Sequence, residues 1–333
     1  MQIQPIAKNH HAELLSFLST TGSGATESKK FWSQRLHHWW TSNPCINDDS
    51  PRGWILIDNE KIVGFLGNIP TLHYSSHNNK IFETRNLSTW RVKENARSNS
   101  LTLLMNCIQL SKNTIIFDTT PTPRVAKILS TLRFNNLGDT RLNYRIPVYL
   151  NFSTQIIRLL KSDLNKTKVG KYDCRLLDVI DDSFDELWER TKSYTTTIVR
   201  NSAWIEWFCW KNSFFAKLLF AIYKGNVLIG FGIFQKTCLK RKISTLYCVD
   251  LWIDSKYPDG IVALVNEVER YCKKNNIWCI AIKNADANLN RHLKKTMHFS
   301  MRKPTNYFFK WSLKNQTYDP HDSYYYVGGD FGV

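Results

Sequence analysis

What the sequence lacks narrows it first. Its apolar runs are broken within about ten residues by charges or Asn, short of the roughly 20 needed to cross a bilayer. The opening MQIQPIAKNHHAELL has neither the basic start nor the long apolar stretch of a secretion signal. Its eight cysteines form no CxxC pair and no Cys/His cluster at metal-ligand spacing. A chain of 333 residues can bury a core without a disulfide frame, so they read as reduced, mostly buried thiols of a cytoplasmic protein with no metal site. No Ser-His-Asp triad stands out, and the pairs His10-His11 and His37-His38 read as solvated or packed residues on helices. The DFG at residues 330–332 comes without the glycine-rich and catalytic loops of a kinase.

Acid is scarce as well. Asp and Glu number 28 against 45 Lys and Arg, a formal net charge of +17 that attracts polyanions or a phosphorylated cofactor. The basic residues are spread along the chain rather than gathered in one tail, so charge alone names no partner. A hydrophobic content of 43% excludes wholesale disorder.

What is present is a repeat. FWSQRLHHWWTSNP precedes the strand-turn-strand pattern GWILIDNEKIVGFLGNIP, and NSAWIEWFCWKNS precedes KLLFAIYKGNVLIGFGIFQKT. A third strand follows in each half (NLSTWRV, STLYCVDLWI), then an amphipathic helix (SLTLLMNCIQLSK, IVALVNEVERYCKK). A fourth strand (NTIIFDTT, NIWCIAIKNA) and a short helix ending at Phe (PRVAKILSTLRF, NLNRHLKKTMHF) complete each unit. Gly64 aligns with Gly230 (offset 166), Trp90 with Leu251 (161), Ile115 with Ile277 (162) and Phe134 with Phe299 (165). The pattern predicts two α/β domains, residues 1–150 and 172–315, a polar linker over 151–171, and a tail over 316–333 that folds back on the seam. Trp32, Trp39, Trp40, Trp204, Trp207 and Trp210 sit at helical spacing and belong mostly to the core.

The order helix, hairpin, strand, helix, strand, helix resembles the GNAT N-acetyltransferase superfamily. The carrying residues are WRVKENARSNSLTLL and IIFDTTPTPRVAKILSTLRF, and the resemblance spans both halves. It implies two tandem GNAT-like domains of α+β type, each a mixed, mostly antiparallel sheet flanked by helices, and an acyl-CoA as co-substrate. The superfamily's Arg/Gln-x-x-Gly-x-Gly/Ala bend maps onto Arg97, Ser98, Asn99, Ser100, Leu101 and Thr102, with Ser100 and Thr102 where glycines are usual. A helix start there would offer unpaired N–H groups to a pyrophosphate, with Arg97 adding a charge-assisted contact. Trp90 and Val92 on the preceding strand would meet the pantetheine arm, and Thr120 belongs to the turn after the fourth strand. The second half has Asp254 and Asp259 at the matching bend, which would repel a pyrophosphate and leave that half to shape the acceptor site.

For proton transfer the candidates are carboxylates at strand ends: Asp118 in TIIFD and Asp250 in LYCVDLWID, with Tyr144 as a candidate acid. Burial would raise Asp250 unless it is paired. Asp330 in the aromatic, glycine-rich tail is a candidate substrate contact. The expectation is therefore acyl transfer from acetyl-CoA or another acyl-CoA to a small-molecule amine or hydroxyl, with an amino sugar of a surface polysaccharide favoured. A Fem-type transferase using aminoacyl-tRNA, or a non-catalytic degenerate pair, stays open. Nucleic acid is less favoured as a partner, and oligomeric state is not legible.

Overall fold

In the computed structural model the described residues are 1–22, 27–77, 79–111, 114–136, 139–146, 171–211, 216–239, 243–284, 287–304 and 307–311. Two sheets carry the fold. The first is built from β1 (Gln2–Pro5), β2 (Gly53–Asp58), β3 (Lys61–Ser75), β4 (Lys80–Val92), β5 (Ile115–Asp118), β15 (Phe308–Trp311) and β6 (Asn135–Asn136), in that spatial order. A short β9 (Thr197–Ile198) also pairs with β3. The second runs β14 (Phe299–Pro304), β7 (Asp139–Arg145), β13 (Cys279–Asn284), β12 (Ile243–Ile253), β11 (Val227–Leu239), β10 (Lys217–Lys224) and β8 (Asp173–Leu177). Both are antiparallel except at one place each, where β4 pairs β5 and β12 pairs β13 in parallel.

The local rules that form these elements are visible. Asn59 and Glu60, both at positive φ (46° and 61°), make the two-residue turn between β2 and β3 that suits the right-handed twist of a hairpin. Gly225 (φ +61°) opens the matching turn between β10 and β11. Helix α1 (His11–Thr20) is followed by α2 (Lys29–Trp40), whose first turn is capped by Ser28 Oγ accepting from Phe31 N at 3.1 Å. Helices α3 (Ser100–Leu110) and α4 (Pro123–Thr131) cover the other face of the first sheet. In the second half α5 (Ser183–Thr191) and α6 (Ser202–Cys209) take the places of α1 and α2, and α7 (Gly260–Lys274) and α8 (Ala287–Thr296) those of α3 and α4.

The repeat holds in register for the hairpins and third strands, where Gly64 pairs with Val92 and Gly230 with Ile253. The fourth strands correct the expected alignment: Thr84 pairs with Ile115 and Thr245 with Cys279, so Ile115 corresponds to Cys279 rather than to Ile277, which precedes β13. One arrangement was not legible: the halves exchange strands. β7, which precedes the expected linker, lies between β13 and β14 of the second sheet, and β15 lies between β5 and β6 of the first. Neither sheet can leave the other without breaking a ladder. The expected tail, with Asp330, lies outside the described residues, as does nearly all of the expected linker.

One core joins the halves. Trp32, Trp39 and Trp40 from α2 share a buried cluster with Trp204 and Trp207 from α6, and with Trp188 and Trp252. The tryptophans therefore pack as the helical spacing implied. Trp207 Nε1 donates to His38 O at 2.9 Å, and the two rings stack at 4.6 Å. A second tie is ionic. Arg200, beside β9, donates from Nε to both Asp250 oxygens at 3.2 and 3.0 Å, and both side chains are fully buried. Removing one partner of such a pair costs about 3–5 kcal/mol, because a charge is left buried without compensation. All eight cysteines are free thiols and six of them are buried. Among the described residues no helix is long and apolar enough to cross a membrane.

Of the histidine pairs, His38 is packed: it is buried between α2 and α6. Burial, reinforced by the Lys217 ammonium, pushes its imidazole down to about 4, and burial beside Arg200 pushes His73 down to about 3. Both titrate near 6.5 in the unfolded chain. Between that pH and 4 the unfolded chain therefore binds protons that the folded chain refuses. Stability is complete above pH 6.5 and falls on acidification, by up to about 1.4 kcal/mol per pH unit for each histidine. We expect the melting temperature to drop between pH 7 and pH 5, with a shallower drop in His38→Gln; equal slopes in the two proteins would rule out His38 as a source.

Candidate functional site

The site begins where two parallel strands part. β4 pairs with β5 over Thr84–Ile115, Arg85–Ile116 and Asn86–Phe117, and β5 ends one residue later at Asp118. Beyond Asn86 no described strand pairs with β4 on that side, so those backbone groups of residues 87–92 that point away from β3 face the gap. The parting coincides with a bulge, where Thr89 and Trp90 oppose the single residue Leu66 of β3. Thr89 takes φ +54°, a left-handed value that is strained for a β-branched residue. Gly67 is required opposite: a Cβ there would sit 2.9 Å from Ser88 O and 2.9 Å from Phe65 Cζ. The second sheet repeats the device, with Val249 looped out where Ile233 pairs Asp250 and Phe234 pairs Cys248.

After Val92 the chain enters a 3-10 turn, Glu94–Asn99, that leads straight into α3. The bend is therefore not an open loop, and Ser100 N already donates to Arg97 O. A cleft of about 500 Å³ lies against this bend, lined by Trp90, Val92, Arg97, Ser98, Ser100 and Leu101, and by Arg124, Val125 and Ile128 of α4. Its electrostatics favour an anion. Both α3 and α4 present their first turns here, and neither first turn holds an acidic residue. Arg97 is exposed and only 3.4 Å from the equally exposed Glu94, a pair that water and salt screen heavily. Arg124 has no ion pair among the described residues.

A second cleft, of about 940 Å³, opens on the other side of the same strand end. Trp90, Val92 and Arg97 are common to both; the rest of its wall is Thr20, Thr21 and Gly22 after α1, with Arg91, Lys93, Glu94 and Asn95. Arg91 fixes this wall. Its Nη1 donates to Leu18 O at 3.0 Å and Thr21 O at 2.7 Å, its Nη2 meets Glu27 at 3.1 Å, and the guanidinium lies over the Trp32 ring at 4.7 Å.

Of the residues singled out from the sequence, Trp90, Val92, Arg97, Ser98, Ser100 and Leu101 come together in the first cleft. Asn99, Thr102 and Thr120 are not in its lining. Asp118 stands at the crotch where β4 and β5 part, half-buried, with Oδ1 accepting from Thr120 N at 3.2 Å. Tyr144 lies in the second sheet between Ala281 and Phe299, where burial raises its pKa. Asp250 is locked to Arg200 in the seam; burial pushes its carboxyl up and the guanidinium pulls it back. Arg124 was missed, although a signal existed: PRVAK opens a helix with a cation, against the macrodipole, where a carboxylate would be stabilising.

The second half closes the equivalent place. Asp254 is buried against Arg190 at 3.2 Å and caps Lys256 N, while Asp259 accepts from the Tyr172 hydroxyl at 2.6 Å and lies 3.7 Å from Lys171. Burial opposes ionisation of Asp259, but the tyrosine and its own backbone amide outweigh it and hold the carboxyl below its usual value. Among the described residues no group of three or more His, Cys, Asp or Glu is placed to hold a metal.

By sequence, no family model and no curated protein matches the chain. By structure, it has the fold of the GCN5-related N-acetyltransferases, in a tandem arrangement. A probable N-acyltransferase from Enterococcus faecalis superposes with a TM-score of 0.66 at 8% identity, over 94% of this chain and 73% of that one. A GCN5-related N-acetyltransferase from Anabaena variabilis gives 0.61 at 11% identity, over 93% and 72%. N-myristoyltransferase from Saccharomyces cerevisiae, with bound myristoyl-CoA, gives 0.53 at 14% identity, over 97% and 86%.

The strained bulge can be tested directly. Thr89→Gly removes a backbone strain of about 1–3 kcal/mol and adds unfolded-state entropy worth about 0.4–1 kcal/mol. We expect a net gain of roughly 1 kcal/mol in chemical denaturation. A loss of that size would show that the Thr89 side chain, not its backbone, matters at the bulge.

Proposed function

We propose that the chain is an acyl-CoA-dependent acyltransferase, with the coenzyme held in the α3/α4 cleft of the first half and an amine or hydroxyl of a small molecule as acceptor. The observation that carries this is the conjunction at one place of a parted, bulged β4 and a cleft walled by two helix starts and two arginines. An acyl-CoA offers matching chemistry: an extended amide-bearing arm joined to a pyrophosphate. The arm would add to the free edge of β4 as an extra strand. Arg97, Arg124 and the Ser98 and Ser100 hydroxyls would hold the phosphates. That the yeast transferase, which shares the fold, binds myristoyl-CoA supports the same ligand class here.

The coenzyme supplies an activated acyl thioester. The chain's own groups would then do three things. The N–H groups of residues 87–92 that point away from β3 would orient the thioester carbonyl at the parting of the strands and stabilise charge on its oxygen. Asp118, at the crotch, would take the proton from the acceptor nucleophile. Trp90, shared by both clefts, would separate donor from acceptor and shield the reacting atoms from water. The acceptor would enter from the α1 side, where the Trp90 ring and the Thr20, Thr21 and Asn95 polar groups suit a sugar. An amino sugar of a surface polysaccharide remains the favoured acceptor. The second half, its own bend filled by Asp254 and Asp259, would brace the seam and shape the acceptor side.

Calorimetric titration with acetyl-CoA should give micromolar binding, weakened by roughly 1.5–3 kcal/mol in each of Arg97→Ala and Arg124→Ala, the range for a lost charged hydrogen bond. No binding by the wild type would overturn the coenzyme reading and bring the tRNA-dependent and non-catalytic alternatives forward. In an acyl-transfer screen over amines and amino sugars that follows thiol release, Asp118→Asn should bind acetyl-CoA normally and turn over about 100-fold more slowly or worse. Unchanged turnover would remove Asp118 from the mechanism.

A further inference from the structure

The second cleft holds more positive charge than the fold needs. Successive side chains of a strand point to opposite faces. Trp90 and Val92 pack with the α3/α4 core, and Arg91 turns to the α1 side, onto Trp32. Lys93 follows Arg91 and lines the second cleft but not the first. Among the described residues it has no ion pair and no side-chain hydrogen bond. The other charges there are accounted for: Arg91 answers Glu27 and two carbonyls at the end of α1, and Arg97 is 3.4 Å from Glu94. By capping those carbonyls, Arg91 also cancels the negative end of the α1 dipole beside the cleft. The Asn95 amide adds a further exposed donor. The cleft and its rim thus carry three cations, Arg91, Lys93 and Arg97, against Glu94 and Glu27, one positive charge in excess, and Lys93 is the cation with no ion pair among the described residues, next to the place where the acyl group would be handed over.

We infer that the acceptor is an anion: its phosphate or carboxylate is held by Lys93 in the α1-side cleft while its nucleophile reaches the strand parting. This rests on the coenzyme lying in the α3/α4 cleft, and it narrows the substrate class. A simple alkyl amine would place a second cation beside Lys93 and Arg97, whereas an amine carrying an oxyanion meets its complement. It also assigns a specificity role to the first residue after β4, which the bend motif of the resemblance does not include.

The probes are inorganic phosphate and, separately, acetate, titrated at constant ionic strength into the protein alone and into protein saturated with acetyl-CoA. We expect at least one of them to bind in both states, with affinity falling at least fivefold in Lys93→Gln and acetyl-CoA affinity staying within twofold of wild type. Phosphate binding alone identifies a phosphorylated acceptor, and acetate binding identifies a carboxylate. Oxyanion binding that acetyl-CoA abolishes would place the anion site in the coenzyme cleft and overturn the inference. So would an affinity that Lys93→Gln leaves unchanged, or no binding of either probe. If acetyl-CoA itself does not bind, the coenzyme reading fails, while the titrations of the protein alone still report on Lys93.

Discussion

A parallel strand pair that stops after three residues organises the first half. Parallel strands need a crossover, and here α3 makes it, starting just past the end of β4. Because β5 ends at Asp118 while β4 runs on to Val92, the sheet has a notch at the point where the crossover helix begins. The bulge at Thr89 widens it, and Gly67 lets β3 stay close enough to hold the bulged strand. A free strand edge and a helix start thus meet without any dedicated loop, and Asp118 ends the strand that parts from them. The corresponding notch of the second sheet carries Asp254 and Asp259 at its bend, and its backbone differs as well: the bulge there has no left-handed residue and no 3-10 turn leads into α7.

The rigidity of the notch comes from elsewhere. The exchanged strands β7 and β15 sew each sheet to the other half, and the tryptophans of α2 and α6 fill the seam between them. Arg200 and Asp250 close it ionically: Arg200 follows β9, which pairs with β3, and Asp250 flanks the bulge of β12. Asp250, a sequence candidate for proton transfer, is thereby seen to connect one bulge to the opposite sheet.

Much of this was legible because the repeat carries its own control: two glycines, two hairpins and two strand-helix bends in one order fixed the element types and most of the register. Arg97 was legible through the resemblance, whose strand-to-helix bend opens with an arginine or glutamine at that position. Arg124 was less so, since its meaning depends on which helix lies across the cleft. The exchange of β7 and β15 was hidden, because an alternating strand such as DTRLNYR does not record which sheet it joins. The bulge was hidden too, because Thr89 is the wrong residue for its own φ and only tertiary packing holds it there. Lys93 drew no notice from the sequence: among 45 basic residues, an unpaired one stands out only when its neighbours' partners are known.

The central claim is that the notch of the first sheet, and not that of the second, receives the acyl-CoA. Amide hydrogen exchange with and without saturating acetyl-CoA tests it directly. The account predicts new protection over residues 87–92 and 94–101 and no change over 249–260. Protection confined to 249–260, or none in either stretch when binding is otherwise measurable, would contradict it.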